Sequence, residues 1–459
     1  MIRFDFSGVT KELINERGIS KEDINALSPI IKEAHDILSS RRERGEILFY
    51  DLPYAKDTIN QVKDLAGDLS GKFKNIVHLG IGGSSLGPKA IFSALKDPFH
   101  NYVSSPRMFF LENIDPEYIA SLLDNISAEE TLFNVVSKSG ATPETASQFM
   151  VVFDLLKTRL GKNYKDHLVF ITDPKDGVLR RLASAHGIRS LPIPKEVGGR
   201  FSVLTPVGLL PAAMCSIDID KLLDGAAKMA DIVTSPDVFK NPAYMYACIH
   251  FIAFVKGINI SVIMPYSNAL YDLADWYRQL WAESLGKKTS LDNKDVFTGQ
   301  TPVKALGATD QHSQIQLYME GPFDKIINII TVKHYRKDIK IPAIFNDINE
   351  LAYLGSKDMS ELINAEASSI RAALIKNERP TTQIEIDTIN GETIGALFMF
   401  FEVSTAFMGY LLKIDPFNQP GVELGKQLTF SLMGRPGFED KVKMLKDSLK
   451  TVEYMHIEI

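Results

Sequence analysis

Cysteine is nearly absent from this 459-residue chain: only Cys215 and Cys248 occur, far apart and outside any C-x-x-C spacing. That excludes a disulfide framework and a cysteine-rich zinc site, and it points to a reducing compartment. Blocks of one charge are equally scarce. The chain carries 51 Lys+Arg against 57 Asp+Glu, a net of −6 with no basic run, so it offers no electrostatic footprint for nucleic acid or for an anionic membrane. Met1-Ile2-Arg3-Phe4-Asp5-Phe6 lacks the uninterrupted apolar core of a secretory signal, which makes the cytoplasm the expected location. Neither H-E-x-x-H nor any clustered His/Asp/Glu ligand spacing occurs, so metal catalysis is not expected. Long apolar runs are missing with one exception, Thr393 to Leu412, which is about the length needed to span a bilayer. Glu402 sits near its middle, where a charge is expensive in hydrocarbon, so the expectation is a central helix of a soluble domain.

What is present describes a large globular protein, with 45% hydrophobic and 24% charged residues. Single cores stop growing near about 250–300 residues, so the length calls for two or three domains. The first 70 residues read as helices of mixed charge. Short runs rich in Val, Ile and Phe follow at Asn75–Ile81, Arg107–Leu111, Leu132–Ser137 and His167–Thr172, with helical patterns between them. That alternation is the signature of a parallel sheet covered on both faces. Gly187–Pro194, with two prolines, reads as an edge strand, and Phe201–Ser216 turns helical. A second such unit has strands at Ile258–Pro265 and Lys325–Val332 and a helix over Asn268–Leu285, and the C-terminal part reads as mostly helix. The expected fold class is therefore α/β, with two parallel-sheet αβα sandwich domains and helical N- and C-terminal extensions. Their boundaries fall at 1–70, 71–216, 217–435 and 436–459.

Two loops suggest an anion site. The first strand runs into His78-Leu79-Gly80-Ile81-Gly82-Gly83-Ser84-Ser85-Leu86-Gly87-Pro88 and then a helix, a geometry that presents backbone N–H groups to an anion. A dinucleotide fingerprint needs glycine where Ser85 stands, and a P-loop needs Lys-Ser or Lys-Thr after Gly87, so neither nucleotide reading holds. For this loop alone, the glycines are equally accounted for by positive φ. The second loop, Ser137-Lys138-Ser139-Gly140-Ala141-Thr142-Pro143, gathers three hydroxyls, a lysine and free amides at a strand end, a compact setting for a phosphate monoester. Capping by Thr142 with Pro143 at the first helical position is the alternative. Ligands of open α/β sheets gather beyond the carboxyl ends of strands, where both loops lie.

Four further segments carry acid–base groups. Arg200 follows a Gly-Gly turn where backbone approaches a ligand closely, with a surface ion pair as the alternative. Gln279 and Glu283 share a helix face, and Trp276 and Trp281 are expected to desolvate Glu283 toward general-base range, against a solvated helix-end carboxylate. His312, alone among nine histidines, sits in a Gly/Asp/Ser-rich turn opening a helix, as a proton shuttle or as a structural hydrogen-bonding group. Glu423 and Lys426 stand three apart, the spacing of a simple ion pair.

Together these residues make the chain resemble the phosphoglucose isomerase family over nearly its whole length. The segments that carry the resemblance are Val197-Gly198-Gly199-Arg200-Phe201-Ser202 and Gly409-Tyr410-Leu411-Leu412 through Phe417-Asn418-Gln419-Pro420-Gly421-Val422-Glu423 to Lys426, joined by GIGGSSLGP, SKSGATPET, ESLGK and GATDQHSQ. The resemblance implies two sugar-isomerase domains, a homodimer, and reversible conversion of glucose 6-phosphate to fructose 6-phosphate without a cofactor. It assigns the phosphate to Ser84, Ser137, Ser139 and Thr142 with Lys138 adjacent, and the first-loop glycines Gly82 and Gly83 to the substrate site. Glu283 matches the base that shuttles a proton between C2 and C1 through a cis-enediol, and Arg200 the group that stabilises the enediolate. His312, reaching in from the neighbouring subunit, and Lys426 match the ring-opening pair, and Gln279 and Gln419 match substrate-contacting glutamines. Ala141 departs from the pattern, standing where many relatives have threonine. Activity on mannose 6-phosphate as well, and a sugar-phosphate-binding regulator without catalysis, are the alternatives; the second has no need of Glu283, Arg200, His312 and Lys426.

Overall fold

The computed structural model describes residues 1–449. Twelve strands occur among them: β1 (Ile2–Asp5), β2 (Asn75–Leu79), β3 (Arg107–Leu111), β4 (Thr131–Val136), β5 (Leu168–Thr172), β6 (Arg189–Pro192), β7 (Ile260–Pro265), β8 (Lys287–Thr289), β9 (Asp295–Thr298), β10 (Thr301–Lys304), β11 (Lys325–Val332) and β12 (Thr381–Ile386). The first sheet has the order β3-β2-β4-β5-β6 and every pairing in it is parallel. Its strands fall where the apolar runs place them, and the proline-bearing β6 is an edge. The second sheet has the order β1-β12-β11-β7-β10. Its inner pairings are parallel, while β1 joins the edge antiparallel, with Ile2 opposite Ile386.

That last pairing corrects the reading of residues 1–70 as a purely helical extension. Ile2-Arg3-Phe4-Asp5 alternates apolar and polar residues, but four residues are too few to stand out from a helical pattern. The phenyl ring of Phe4 lies 4.6 Å from that of Phe400, which anchors the edge strand to the interior. The C-terminal part likewise contains β12, whose Thr-Thr-Gln-Ile-Glu-Ile is largely polar. The antiparallel ribbon β8–β9 belongs to neither main sheet. Of the 436–459 tail, a helix at Lys441–Ser448 is described, and residues 450–459 lie outside the described residues.

Strand side chains alternate between two apolar layers. In β4, Leu132 and Val136 face one core while Phe133 and Val135 face another, and in β11 Ile326 and Ile330 oppose Ile327 and Ile329 in the same way. The inner layers of the two sheets run together through the helices between them, so the sheets share one continuous core. At its centre lies the helix Gly391–Leu411, long and apolar enough to cross a membrane, yet buried inside the protein from Thr393 to Leu411. It packs on the helices Ile219–Val233 and Pro242–Val255. Reciprocal glycines allow the first crossing: a β-carbon on Gly225 would lie 1.9 Å from the carbonyl oxygen of Glu392, and one on Gly395 1.8 Å from that of Leu222. Glu402, inside this helix, has no hydrogen-bond partner among the described residues, and burial pushes its carboxyl well above the usual range. It is therefore an uncharged acid, the state in which an apolar core accepts it.

Candidate active site

In the first sheet the chain leaves β2 toward β3 on one side and returns through β4 on the other, so the strand order reverses between β2 and β4. Loops at such a reversal open a crevice at the carboxyl ends of the strands. The loop after β2 makes a single turn at Gly82–Ser84 before the helix Leu86–Leu95. Gly82 has φ of +58°, and a β-carbon there would stand 2.8 Å from the Gln279 amide nitrogen; one on Gly83 would stand 2.2 Å from the Gly199 carbonyl carbon. These two glycines thus let the loop lie directly against the Arg200 turn and the Gln279 side chain. From β2 below, His78 donates through Nε2 to the Ser84 carbonyl at 2.6 Å and accepts at Nδ1 from Asn134 of β4 at 3.1 Å. These partners assign the proton to Nε2. Burial lowers the His78 pKa to about 4, so the ring is neutral. The Ser84 hydroxyl makes no hydrogen bond among the described residues.

The loop after β4 resolves the capping alternative for Thr142. Its side chain makes no capping bond to the helix Pro143–Leu160; its hydroxyl lies 3.3 Å from that of Ser137. Ser137 also accepts from the Gly140 amide at 3.1 Å, and Ser139 accepts from the Ala141 amide at 3.3 Å. Lys138 is held by two carbonyls, Lys195 at 2.6 Å and Val197 at 2.9 Å, and burial lowers its pKa. The lysine therefore ties the second loop to the segment that delivers Arg200.

Arg200 lies in the turn Gly199–Phe201 and is buried. Its Nε donates to Ser284 Oγ at 2.7 Å, Nη1 to Gln419 Oε1 at 2.8 Å, and Nη2 to the carbonyls of Pro416 at 2.5 Å and Asn418 at 3.0 Å. Nη1 also stands 3.5 Å from Glu283 Oε2. Burial lowers the arginine pKa against the opposing pull of Glu283 and Asp415, and a guanidinium remains charged under such conditions. On the helix Tyr271–Leu285, Gln279 Nε2 donates to Glu283 Oε1 at 3.2 Å, while Gln279 Oε1 is buried without a partner. That open acceptor faces the same corner as Gly82.

Arg200, Gln279, Glu283, Gln419, Gly82 and Gly83 thus meet in one place, and Lys138 connects them to Ser137, Ser139 and Thr142. One sequence expectation changes. Trp276 and Trp281 do not cover Glu283: their rings pack on Phe398 and Tyr277 in the core, and the Glu283 side chain is 36% exposed. Trp281 leaves the helix on the opposite side, and Trp276 lies two turns back, roughly 10 Å along the axis. His312, at the end of the turn Thr309–His312, is exposed and makes no hydrogen bond to the gathered residues among the described residues. Lys426, in the helix Glu423–Leu432, is exposed and pairs with Glu423 at 2.8 Å, the simple ion pair that its spacing suggests. The sequence reading missed Ser284, His78 and Lys287. Ser284 follows Glu283 directly, but nothing in its type marks it as the partner of an arginine 84 positions away.

The family profile described as Phosphoglucose isomerase matches residues 54–452. A glucose-6-phosphate isomerase of Carboxydothermus hydrogenoformans is 45% identical over 446 residues, which cover 96% of each chain. One from Thermus thermophilus is 37% identical over 89% of this chain and 95% of its own. Among solved structures, a hypothetical protein of Thermus thermophilus matches with a TM-score of 0.86 at 34% identity, covering 95% of this chain and 100% of that one. A glucose-6-phosphate isomerase of Chlamydia trachomatis shares the fold at a TM-score of 0.79 and 23% identity, over 94% of this chain and 90% of its own. By its profile match and its identity to these relatives across nearly the full length, the chain belongs to the phosphoglucose isomerase family.

Proposed function

We propose that this chain interconverts glucose 6-phosphate and fructose 6-phosphate in the cytoplasm, within glycolysis and gluconeogenesis. The observation that carries the reading is the Arg200–Glu283 pair, a carboxylate and a fixed cation 3.5 Å apart beside the two loops. Exchange of a carbonyl between C1 and C2 needs a base that can return the proton it removes, a cation at the developing oxyanion and an anchor for the unreactive end. Ser84, Ser137, Ser139 and Thr142 take the phosphate with Lys138 adjacent, and this remote hold keeps C1 and C2 against Glu283.

His312 and Lys426 open the sugar ring, one giving a proton to the ring oxygen as the other takes the proton of the anomeric hydroxyl. Glu283 then removes the C2 proton. The electron pair forms the C1–C2 double bond, and the charge arrives on O1, where Arg200 stabilises it. The O2 proton passes to O1, protonated Glu283 returns its proton to C1, and the new carbonyl stands at C2. Gln279 and Gln419 orient the hydroxyls through the amide groups that face this corner. The exposure of His312, which makes no hydrogen bond to Arg200 or Glu283 within one chain, fits a homodimer in which His312 of one copy completes the site of the other.

The test supplies fructose 6-phosphate in metal-free buffer and detects glucose 6-phosphate through a coupled dehydrogenase. Sustained product formation is expected, and its absence would overturn the reading. Specific activity that falls on dilution supports the shared site, whereas a fully active monomer removes it.

A further inference from the structure

The helix that carries Glu283 ends in an arrangement that the isomerase chemistry above does not use. Gly286 stops the helix, and the next residue, Lys287, opens the β8–β9 ribbon opposite Thr298. Although it is a lysine beside a surface ribbon, Lys287 is buried, with 6% of its surface exposed. Its ammonium donates to the carbonyls of Glu283 at 2.5 Å and Ser284 at 2.9 Å. The last carbonyls of a helix have no partner within it, and a cation there is favoured by the helix dipole. These two carbonyls belong to the two neighbouring residues that touch Arg200, Glu283 through its carboxylate and Ser284 through its hydroxyl.

We propose that Lys287 is a positioning residue for proton transfer: anchored in the ribbon, it clamps the last helical turn so that the Glu283 carboxylate stays in register with Arg200. The ribbon is itself fixed on two sides. The Leu291 amide donates to the Lys413 carbonyl at 2.8 Å beyond the end of the central helix, and a β-carbon on Gly299 would lie 2.9 Å from the Gly286 Cα, so the ribbon closes directly on the helix end. The charged groups that act on the ammonium are Arg200, Asp415 and Glu283. Burial, and then the nearby Arg200, lower its pKa to about 8 against the pull of the two carboxylates. Loss of the proton removes the charge that favours the helix end, so the clamp weakens as pH rises through that value.

The proposal rests on the isomerase reading, and the experiment separates the two. Steady-state rates with fructose 6-phosphate are measured from about pH 6 to 10, bracketing the lysine transition, for the native protein, Lys287→Met and Lys287→Arg. A misplaced base is expected to lower kcat in Lys287→Met by about 10- to 100-fold with KM nearly unchanged. Lys287→Arg recovers a large part of the loss, and the native fall of kcat near pH 8 is absent from Lys287→Met. Turnover in Lys287→Met within about twofold of native, or a loss that tracks only its unfolded fraction, overturns the clamp and leaves the isomerase reading standing. If Lys287→Met does not fold, the native pH profile and Lys287→Arg decide: a native kcat flat across pH 8 overturns the clamp. A native protein without turnover overturns the isomerase reading, and the clamp falls with it.

Discussion

Arg200 and Lys426 are both cations assigned to one reaction, and they stand in opposite physical states. Arg200 is buried, with its guanidinium held by Ser284, Gln419 and two carbonyls before any substrate arrives. Lys426 is exposed on the helix Glu423–Leu432, paired only with a glutamate one turn away. The corner proposed to move the proton is pre-organised within a single chain, as electrostatic stabilisation of an enediolate demands. The groups proposed for ring opening, His312 and Lys426, are exposed, and in the proposed dimer a second copy brings His312 into place.

The largest expected effect tests the buried corner. Glu283→Gln keeps the shape and the contact with Gln279 but removes the base, so turnover should fall by about 10²- to 10⁴-fold with substrate binding nearly intact. Coupled turnover and equilibrium binding measure the two separately, and surviving turnover would assign the base to another residue. Next, Arg200→Lys should lower turnover by about 10²- to 10³-fold. It also leaves buried acceptors unpaired, at about 1–3 kcal/mol for each one. Thermal melts make the contrast with Lys426→Ala, which should lose activity while its stability stays within about 0.5 kcal/mol of native. Equal destabilisation by the two substitutions would erase the distinction between the regions.

Mixing tests the division between copies. Glu283→Gln and His312→Ala proteins, each inactive alone, should regain activity when unfolded together and refolded, because one site of a mixed dimer then holds both native residues. A mixture as inactive as its parts would place His312 and Glu283 in the same subunit's site.

The smallest effect concerns His78 beneath the phosphate loop. Its pKa falls from the usual 6.5 to about 4 on folding, so between those values the unfolded chain binds a proton that the folded one does not. Its contribution is therefore complete above pH 6.5 and is lost as pH falls toward 4, with a magnitude on the order of 3 kcal/mol. Denaturant melts across this range should show a shallower acid decline in His78→Gln than in the native protein. Equal slopes would remove the neutral histidine from the pre-organised region.

Much of this arrangement is legible in the sequence, for reasons that differ by element. β3 and β11 begin and end where their apolar runs do, and β11, buried along its whole length, shows why: a strand buried on both faces admits few polar residues. β1, β12 and the ribbon are short or largely polar, and β1 pairs with β12, a segment hundreds of residues away. In the site, Arg200, Gln279 and Glu283 stand in distinctive segments, and helical spacing puts the last two on one face. Helical spacing does not say which face meets the core, and the expectation for Trp276 and Trp281 failed there. Lys287 and His78 are ordinary residue types whose roles appear only with the carbonyls they meet.

The pairing of Ile2 with Ile386 also orders events during synthesis. Every strand of the first sheet lies between Asn75 and Pro192, so that sheet has all its members while much of the chain is still to be made. The second sheet has its edge strand from the outset but must wait for β12, and the Arg200 cage waits further, for Pro416, Asn418 and Gln419. A nascent chain emerging from the ribosome thus holds the loops proposed to grip a phosphate well before it holds the corner proposed to move a proton. A translation product broken off before β12 retains the two loops without the Arg200 cage.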